Sequence, residues 1–337
     1  MSTATTVQPE RILKDLQQLW AQLAHDQAES GGVLRACAMT LVVAAEDASD
    51  AERVRQTVGV LMHNHPSRAV ILRPRGDGGD GLSDKSAPGL DARIFAECWK
   101  PFGKAQQICS EGIEITAGKS GFSEVAKFLV PLRVPDLPVV LWCRGTQVLA
   151  TGAEPGPLEP LFPLADKIIF DSSQVGDADS ALQFLRRLRG RGRRVADLHW
   201  TRLTGWREVL AHLFDERVDR ALAPGEIKAA QVTFGGPAIT TCARYFAAWI
   251  RTALPAARVT IQSGDGPPGL RSVTLSIGSS GASGTLSIAG GADNCLEVSG
   301  SGRQYRSQLP SASEEALMQE ELGILGPDPV YERALSA

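Results

Sequence analysis

Long apolar runs are missing from this sequence of 337 residues. Uninterrupted runs such as residues 41–45 are far shorter than the roughly 20 residues of a membrane-spanning helix. Residues 1–10 are polar and lack the basic and apolar regions of a signal peptide. We therefore expect a cytoplasmic protein without membrane contact.

Cysteine and excess charge of one sign are also scarce. The six cysteines include no Cys-x-x-Cys pair, which predicts neither a disulfide framework nor a zinc site, and most should be small buried residues. His63 and His65 have no carboxylate or cysteine at ligand spacing, so we predict no metal. A net charge of −3 excludes a globally basic nucleic-acid binder, though not a local basic patch.

The chain is longer than most single domains, and its pattern changes near residue 222. Before that point, short apolar strands alternate with helices, which predicts an α/β, Rossmann-like domain over residues 1–222 with a doubly wound, largely parallel sheet. Residues 92–98 and 106–116 are predicted to form an antiparallel pair in or beside that sheet. Residues 75–89 are rich in Gly, Asp and Ser, and we expect a disordered loop there.

Residues 223–337 have a different pattern. A strand at 227–234 and a helix at 238–253 are followed by five short strands separated by Gly, Pro, Ser and Asp turns, and by a final helix at 313–322. This order predicts a smaller α+β domain containing an antiparallel meander.

Three segments could bind phosphate. Residues 76–81 match G-x-G-x-x-G, but their two aspartates would repel a pyrophosphate and no helix follows, so we predict no dinucleotide cofactor. The turn of Gly118, Lys119 and Ser120 lies where a P-loop would, without the required leading glycine, and a helix N-cap is the alternative. Arg144 follows a strand at the carboxyl edge of the sheet, where α/β folds bind ligands. It is a candidate for holding an anion or a partner carboxylate.

Two further segments are rich in arginine. Six arginines in residues 186–194 indicate a solvated helix end, a site for an acidic protein, or a nucleic-acid or phosphate site, and no interleaved aromatic favours base stacking. Residues 197–207 contain Trp200, Arg202, Trp206 and Arg207, the residue types enriched at interface centres. The two tryptophans can equally anchor a helix to the core, but the two arginines are harder to explain as core residues.

The sequence resembles the glucose-6-phosphate dehydrogenase assembly protein family (OpcA) in residues 65–68, 98–109, 141–145, 171–173 and 197–207. The resemblance implies a non-enzymatic cytosolic factor that binds glucose-6-phosphate dehydrogenase and promotes its assembled, active state. It implies no catalytic residue. The residues we predict to contact the partner are Arg68, Trp99, Lys104, Arg144, Trp200, Arg202, Trp206 and Arg207. The alternative is a phosphate- or sugar-phosphate-binding α/β protein or enzyme that uses Arg144 and the 118–120 turn.

Overall fold

The structure is a computed structural model that describes residues 8–28, 31–75, 90–117, 122–145, 156, 158–215, 222–279 and 282–337. The chain divides into two compact units: unit 1 (residues 1–170 and 193–195) and unit 2 (residues 171–192 and 196–337). This division differs from the boundary predicted at residue 222, because the helices between residues 178 and 215 belong to unit 2. Residues 76–89 of the predicted disordered loop and the turn of Gly118, Lys119 and Ser120 lie outside the described residues.

Unit 1 contains these elements: β1 (Val33–Arg35), β2 (Met39–Ala44), β3 (Ser67–Pro74), β4 (Asp91–Trp99), β5 (Gln107–Ala117), β6 (Val139–Cys143), β7 (Lys167–Phe170), α1 (Pro9–Asp26), α2 (Ala48–Asn64) and α3 (Phe122–Leu132). One further strand, β8 (Val195–Asp197), begins with the last residue of unit 1. The connection between β6 and β7 contains a 3-10 helix, Glu159–Leu164, rather than an α-helix. Pro163, in the interior of this segment, lacks the N–H that a continuing α-helix would use.

The sheet has the strand order β1-β5-β3-β2-β6-β7-β8, with β4 paired to β5. The β4–β5 pair is antiparallel, and the pairs from β1 through β7 are parallel. When β1 and β4 are left out and the other six strands are renumbered in chain order, the sheet has the 3-2-1-4-5-6 order of a doubly wound fold. The switch point of such a sheet lies here between β2 and β6. Every residue of β2, β6 and β7 is buried, as expected when both faces are covered. The predicted doubly wound, largely parallel sheet is confirmed.

The antiparallel β4–β5 hairpin corrects one expectation about the cysteines. Its register places Cys98 directly opposite Cys109, and a disulfide joins them. Opposed residues of antiparallel strands are close enough for this bond. The hairpin was predicted from the sequence, but the cysteine pair that its register brings together was not.

Unit 2 contains these elements: α4 (Ala178–Gly190), α5 (Leu198–Thr201), α6 (Thr204–Asp215), α7 (Thr241–Ala253), α8 (Glu314–Gly323), α9 (Pro329–Ser336), β9 (Ile227–Gly235), β10 (Arg258–Gly264), β11 (Gly269–Ser279), β12 (Ala282–Gly290), β13 (Cys295–Gly300) and β14 (Arg303–Gln308). The strand order in its sheet is β10-β9-β11-β12-β13-β14. Each neighbouring pair in the run β9-β11-β12-β13-β14 is antiparallel, which confirms the meander. However, β10 pairs with β9 in parallel after the α7 crossover, so the sheet is mixed.

Capping aspartates mark the first turns of two helices. Asp47 caps α2 by accepting the Asp50 N–H. Helix α9 was not predicted from the sequence, although it begins with an Asp328 cap and a proline at its first position. Among the described residues, no helix is both long and apolar enough to cross a membrane.

Candidate functional site

The switch point of unit 1, where β2 and β6 end, holds an internal ion pair. The Nε and Nη2 atoms of Arg144 each lie 2.8 Å from an Asp50 carboxylate oxygen. The Asp50 carboxylate is buried and also accepts the Glu46 N–H at 3.0 Å. The guanidinium lies 4.7 Å from the centre of the Trp142 ring. The arginine that we predicted to hold an external anion therefore binds a carboxylate of its own chain.

The charge at this corner is unsuited to phosphate. Burial raises the pKa of Asp50, but hydrogen bonds from Arg144 and from the Glu46 N–H outweigh it, and the pKa lies below its usual value. Glu46 and Asp47 add two carboxylates in the β2–α2 connection, and Glu46 packs on Gly145, where a Cβ would lie 3.0 Å from its Cγ. Dinucleotide-binding domains have a glycine-rich connection here, whose amides hold the pyrophosphate. This connection is acidic and contains no glycine.

Arg68 belongs to a buried cluster in unit 1. Its Nε donates to Glu111 Oε1 at 2.6 Å, and its Nη1 donates to the Leu132 carbonyl at 2.7 Å. Glu111 also accepts hydrogen bonds from Arg35 and Trp20. Burial raises the pKa of Glu111, but the hydrogen bond from Trp20 and the charge of Arg68 hold it below its usual value. The cluster ties α1 to β3 and β5, so Arg68 has an intramolecular role.

Trp99 and Lys104 lie on the β4–β5 hairpin. The Trp99 ring is partly exposed and stacks on His63 of α2, with ring centres 4.8 Å apart. Lys104 is exposed in the loop that joins the strands. These two candidates therefore lie close in the chain and near the surface.

The tryptophans of residues 197–207 are core residues of unit 2. Trp200 is buried, and its ring contacts Tyr245 and Tyr331 at centroid distances of 5.8 and 5.6 Å. Trp206 is buried edge-on against Phe246, at 6.1 Å. The geometry thus gives both residues the anchoring role that the sequence left open, while partner binding by them stays a prediction.

The neighbouring arginines also have internal partners. Arg202 makes two hydrogen bonds of 2.8 Å to Asp171. Arg207 lies over the Trp200 ring, 3.9 Å from its centre, and donates to Thr204 at 2.8 Å. The two charge-assisted hydrogen bonds accommodate Arg202. Arg207 relies on the cation–π contact and on Thr204, and its buried Nε has no hydrogen-bond partner among the described residues. Partner binding by these two arginines stays a prediction.

Part of the arginine run docks a helix within unit 2. Arg186 donates to the Leu335 carbonyl at 2.5 Å. Arg189 pairs with Glu332 at 3.0 Å and contacts Ser336 at 2.8 Å. The end of α4 is thus fastened to α9, which explains at least these two arginines without an external ligand.

Sequence reasoning missed a buried polar network around Asp197 in unit 2. Its carboxylate is 0% exposed and accepts from the Ser172 N–H at 2.9 Å, the His199 N–H at 3.0 Å and the Tyr245 hydroxyl at 2.9 Å. Burial raises its pKa to about 6. The Tyr245 hydroxyl also lies 3.3 Å from that of Tyr331. The only sequence signal was an Asp at a helix N-cap.

Aspartate, histidine and serine are the residue types of a hydrolase triad, but their geometry in this network differs. In a catalytic triad the carboxylate orients the histidine ring, and the ring activates the serine. Here Asp197 binds the backbone N–H of His199, and Ser172 is buried with its hydroxyl 3.4 Å from Nδ1. That nitrogen is closer to the Thr241 hydroxyl, at 3.1 Å. The network therefore fits a structural role.

The raised pKa of Asp197 predicts a pH dependence of stability. The native state keeps this proton to about pH 6, whereas the unfolded chain loses it near 3.8. The native state thus binds more protons in this window, and the free energy of unfolding falls as pH rises, by up to about 3 kcal/mol for this group. In Asp197→Asn this fall should be absent. Urea unfolding at pH 4, 5, 6 and 7 measures the difference, and parallel curves for variant and wild type would contradict it.

These features define a two-unit protein with a doubly wound sheet whose phosphate-binding corner is occupied by its own side chains. Family models described as the glucose-6-phosphate dehydrogenase subunit N-terminal and C-terminal domains match residues 58–187 and 193–335. The chain belongs to this glucose-6-phosphate dehydrogenase assembly protein (OpcA) family, which confirms the resemblance seen in the sequence.

Two cyanobacterial relatives carry the description "Putative OxPP cycle protein OpcA". The one from Synechocystis is 30% identical over 49% of this chain and 32% of its own length. The one from Synechococcus elongatus is 28% identical over 62% of this chain and 41% of its own length. The matches thus span less than half of either relative.

The fold also resembles solved oxidoreductases. Glucose-6-phosphate 1-dehydrogenase from Mycobacterium avium is 9% identical, with a TM-score of 0.49 over 88% of this chain and 90% of that one. Similarity at this level contributes nothing to the assignment of function.

Proposed function

We propose that this protein is a non-enzymatic factor that binds glucose-6-phosphate dehydrogenase and favours its active oligomeric state in the oxidative pentose phosphate pathway. The descriptions of the family and of the cyanobacterial relatives support the partner and the pathway. One observation supports the proposal that the protein is not an enzyme: its own side chains occupy the switch point of the sheet, where a dinucleotide-binding domain holds its cofactor. There, Asp50 and Arg144 pair with each other, and the β2–α2 connection is acidic.

The physical mechanism is linkage between binding and assembly. A protein that binds the assembled dehydrogenase more tightly than its separated or low-affinity forms shifts the population toward the assembled state. Each tenfold difference in affinity contributes about 1.4 kcal/mol to that shift. The effect should be largest when the dehydrogenase is dilute, because its subunits then dissociate most.

The first test is dehydrogenase activity, followed by NADPH absorbance, with the dehydrogenase of the same organism at several concentrations. Adding this protein should raise the activity, most strongly at the lowest dehydrogenase concentration. The protein alone, given glucose 6-phosphate and NADP, should show no turnover. Equal activity with and without it across all concentrations would contradict the proposal.

A thermal-shift screen separates the proposal from the phosphate-binding alternative. A ligand that binds the native state raises its melting temperature. Because the Arg144 guanidinium is bound to Asp50, we expect no shift with ATP, NADP or glucose 6-phosphate. A saturable rise with any of them would favour a phosphate-binding protein.

A further inference from the structure

The loop between β4 and β5 displays an unusually exposed aromatic ring. Phe102 has a relative exposure of 105%, and the next most exposed large apolar side chain in the described part of the chain, Leu34, has 49%. A phenylalanine in this position forgoes the hydrophobic gain of burial. The ring gains that energy only when a partner covers it.

The backbone of this loop is constrained at its base and at its tip. At its base, the disulfide joins Cys98 to Cys109. At its tip, the Lys104 N–H donates to the Pro101 carbonyl at 3.0 Å. Gly103 has a φ of +72°, the conformation required at the third position of a type II turn. A fixed loop loses little conformational entropy when it binds, so it suits recognition.

Further apolar side chains lie on the hairpin itself and on β1 and α2. Leu34 and Trp99 are both register partners of Ile108, on β1 and β4, so the three side chains lie on one face of the sheet. On α2, His63 stacks on Trp99. Val60, 48% exposed, lies one helical turn before His63. Single exposed apolar residues are ordinary, but a grouped set marks an interaction surface.

The exposed charges of the loop between β4 and β5 have one sign. Lys100 and Lys104 are exposed on either side of Phe102. Residues 98–110 contain no aspartate or glutamate. An apolar centre with a positive rim is complementary to an apolar pocket that carboxylates border.

We propose that this hairpin surface, formed by Phe102 with Trp99, Leu34, Val60, Lys100 and Lys104, is the docking site for a partner protein. The partner presents an apolar pocket that receives the Phe102 ring and acidic side chains that face the two lysines. This inference rests on the proposed function, which makes the partner glucose-6-phosphate dehydrogenase. Of the eight residues predicted from the sequence to contact that partner, only Trp99 and Lys104 belong to this surface.

The test compares variants of the full-length chain for affinity and for activation of the dehydrogenase. Phe102→Ala should weaken binding by about tenfold or more, as expected for a central aromatic, and should reduce activation at subsaturating concentration. Its melting temperature should match the wild type, because the ring is exposed. Val130→Ala is the matched control: it truncates another exposed side chain of unit 1, 46% exposed, and should leave affinity unchanged.

A second variant tests the positive rim. Lys100→Glu together with Lys104→Glu should slow association, and the difference from the wild type should shrink at high salt. This dependence on salt is what a merely misfolded loop would not produce.

The outcomes separate the two proposals. If the wild type binds and activates, and Phe102→Ala does so equally well, the hairpin surface is not the docking site, while the proposed function stands. If the wild type neither binds nor activates, both proposals fail. If Phe102→Ala instead dissociates a dimer of this chain and binds the dehydrogenase normally, the surface joins two copies and the docking proposal is overturned.

Discussion

Replacing Glu111 by alanine should lower the free energy of unfolding by about 3–5 kcal/mol. The carboxylate is buried in unit 1 and accepts hydrogen bonds from Arg68 and Arg35, both at 2.6 Å, and from Trp20. Its removal leaves the buried Arg68 guanidinium with only the Leu132 carbonyl as a partner in the described network. An uncompensated buried charge is far more costly than a lost surface ion pair. Urea unfolding followed by circular dichroism measures the change.

Two control variants identify the cause. Arg35→Ala should cost under about 1 kcal/mol, because the Arg35 side chain is 48% exposed and Arg68 still neutralises Glu111. The double variant Arg68→Met with Glu111→Leu removes both charges and should be less destabilised than Glu111→Ala alone. If the double variant is the less stable of the two, packing rather than the stranded charge causes the loss.

The two sheets differ in how far the sequence predicted them. The apolar strands β2, β3, β6 and β7 alternate with helices, and this local pattern was enough for the doubly wound sheet of unit 1. The parallel partner of β10 could have been predicted in the same way, because β9, α7 and β10 follow one another as strand, helix and strand. The prediction of an antiparallel meander did not apply this rule to the helix between them.

The partners of the arginines were less predictable. Arg68 and Glu111 are separated by 43 residues, and Arg144 and Asp50 by 94. Neither pair has a sequence pattern, because its members meet only through the register of β3 with β5 and the position of α2 beside β6. An arginine at the carboxyl edge of a sheet was therefore interpreted as a ligand site, although its own chain supplies the carboxylate. By contrast, the cysteine pair followed from the hairpin register and could have been found.

The interface hypothesis for residues 197–207 changes for the same reason. A cluster of tryptophan and arginine has the composition of an interface centre, but that composition also suits a core in which a guanidinium packs on an indole. The sequence does not distinguish these arrangements. The exposure of the side chains does distinguish them, and it favours the hairpin surface around Phe102 over the buried Trp200 as the interface.

The Trp200→Ala variant should lose about 3–5 kcal/mol of stability, the range for truncating a large buried aromatic. The substitution leaves a cavity beside Tyr245 and Tyr331 and removes the ring on which the Arg207 guanidinium lies. Trp200→Phe keeps an aromatic ring in the site and should lose clearly less. Urea unfolding followed by circular dichroism again measures these changes.

Binding measurements on the same variants separate a core residue from an interface residue. At a temperature where Trp200→Ala is still folded, its affinity for the dehydrogenase should lie within about threefold of the wild type, a difference of under 1 kcal/mol. That result is expected because the buried indole offers a partner almost no surface. If Trp200→Phe instead keeps the stability of the wild type and loses most of its affinity, the segment is an interface and its assignment to the core of unit 2 is wrong.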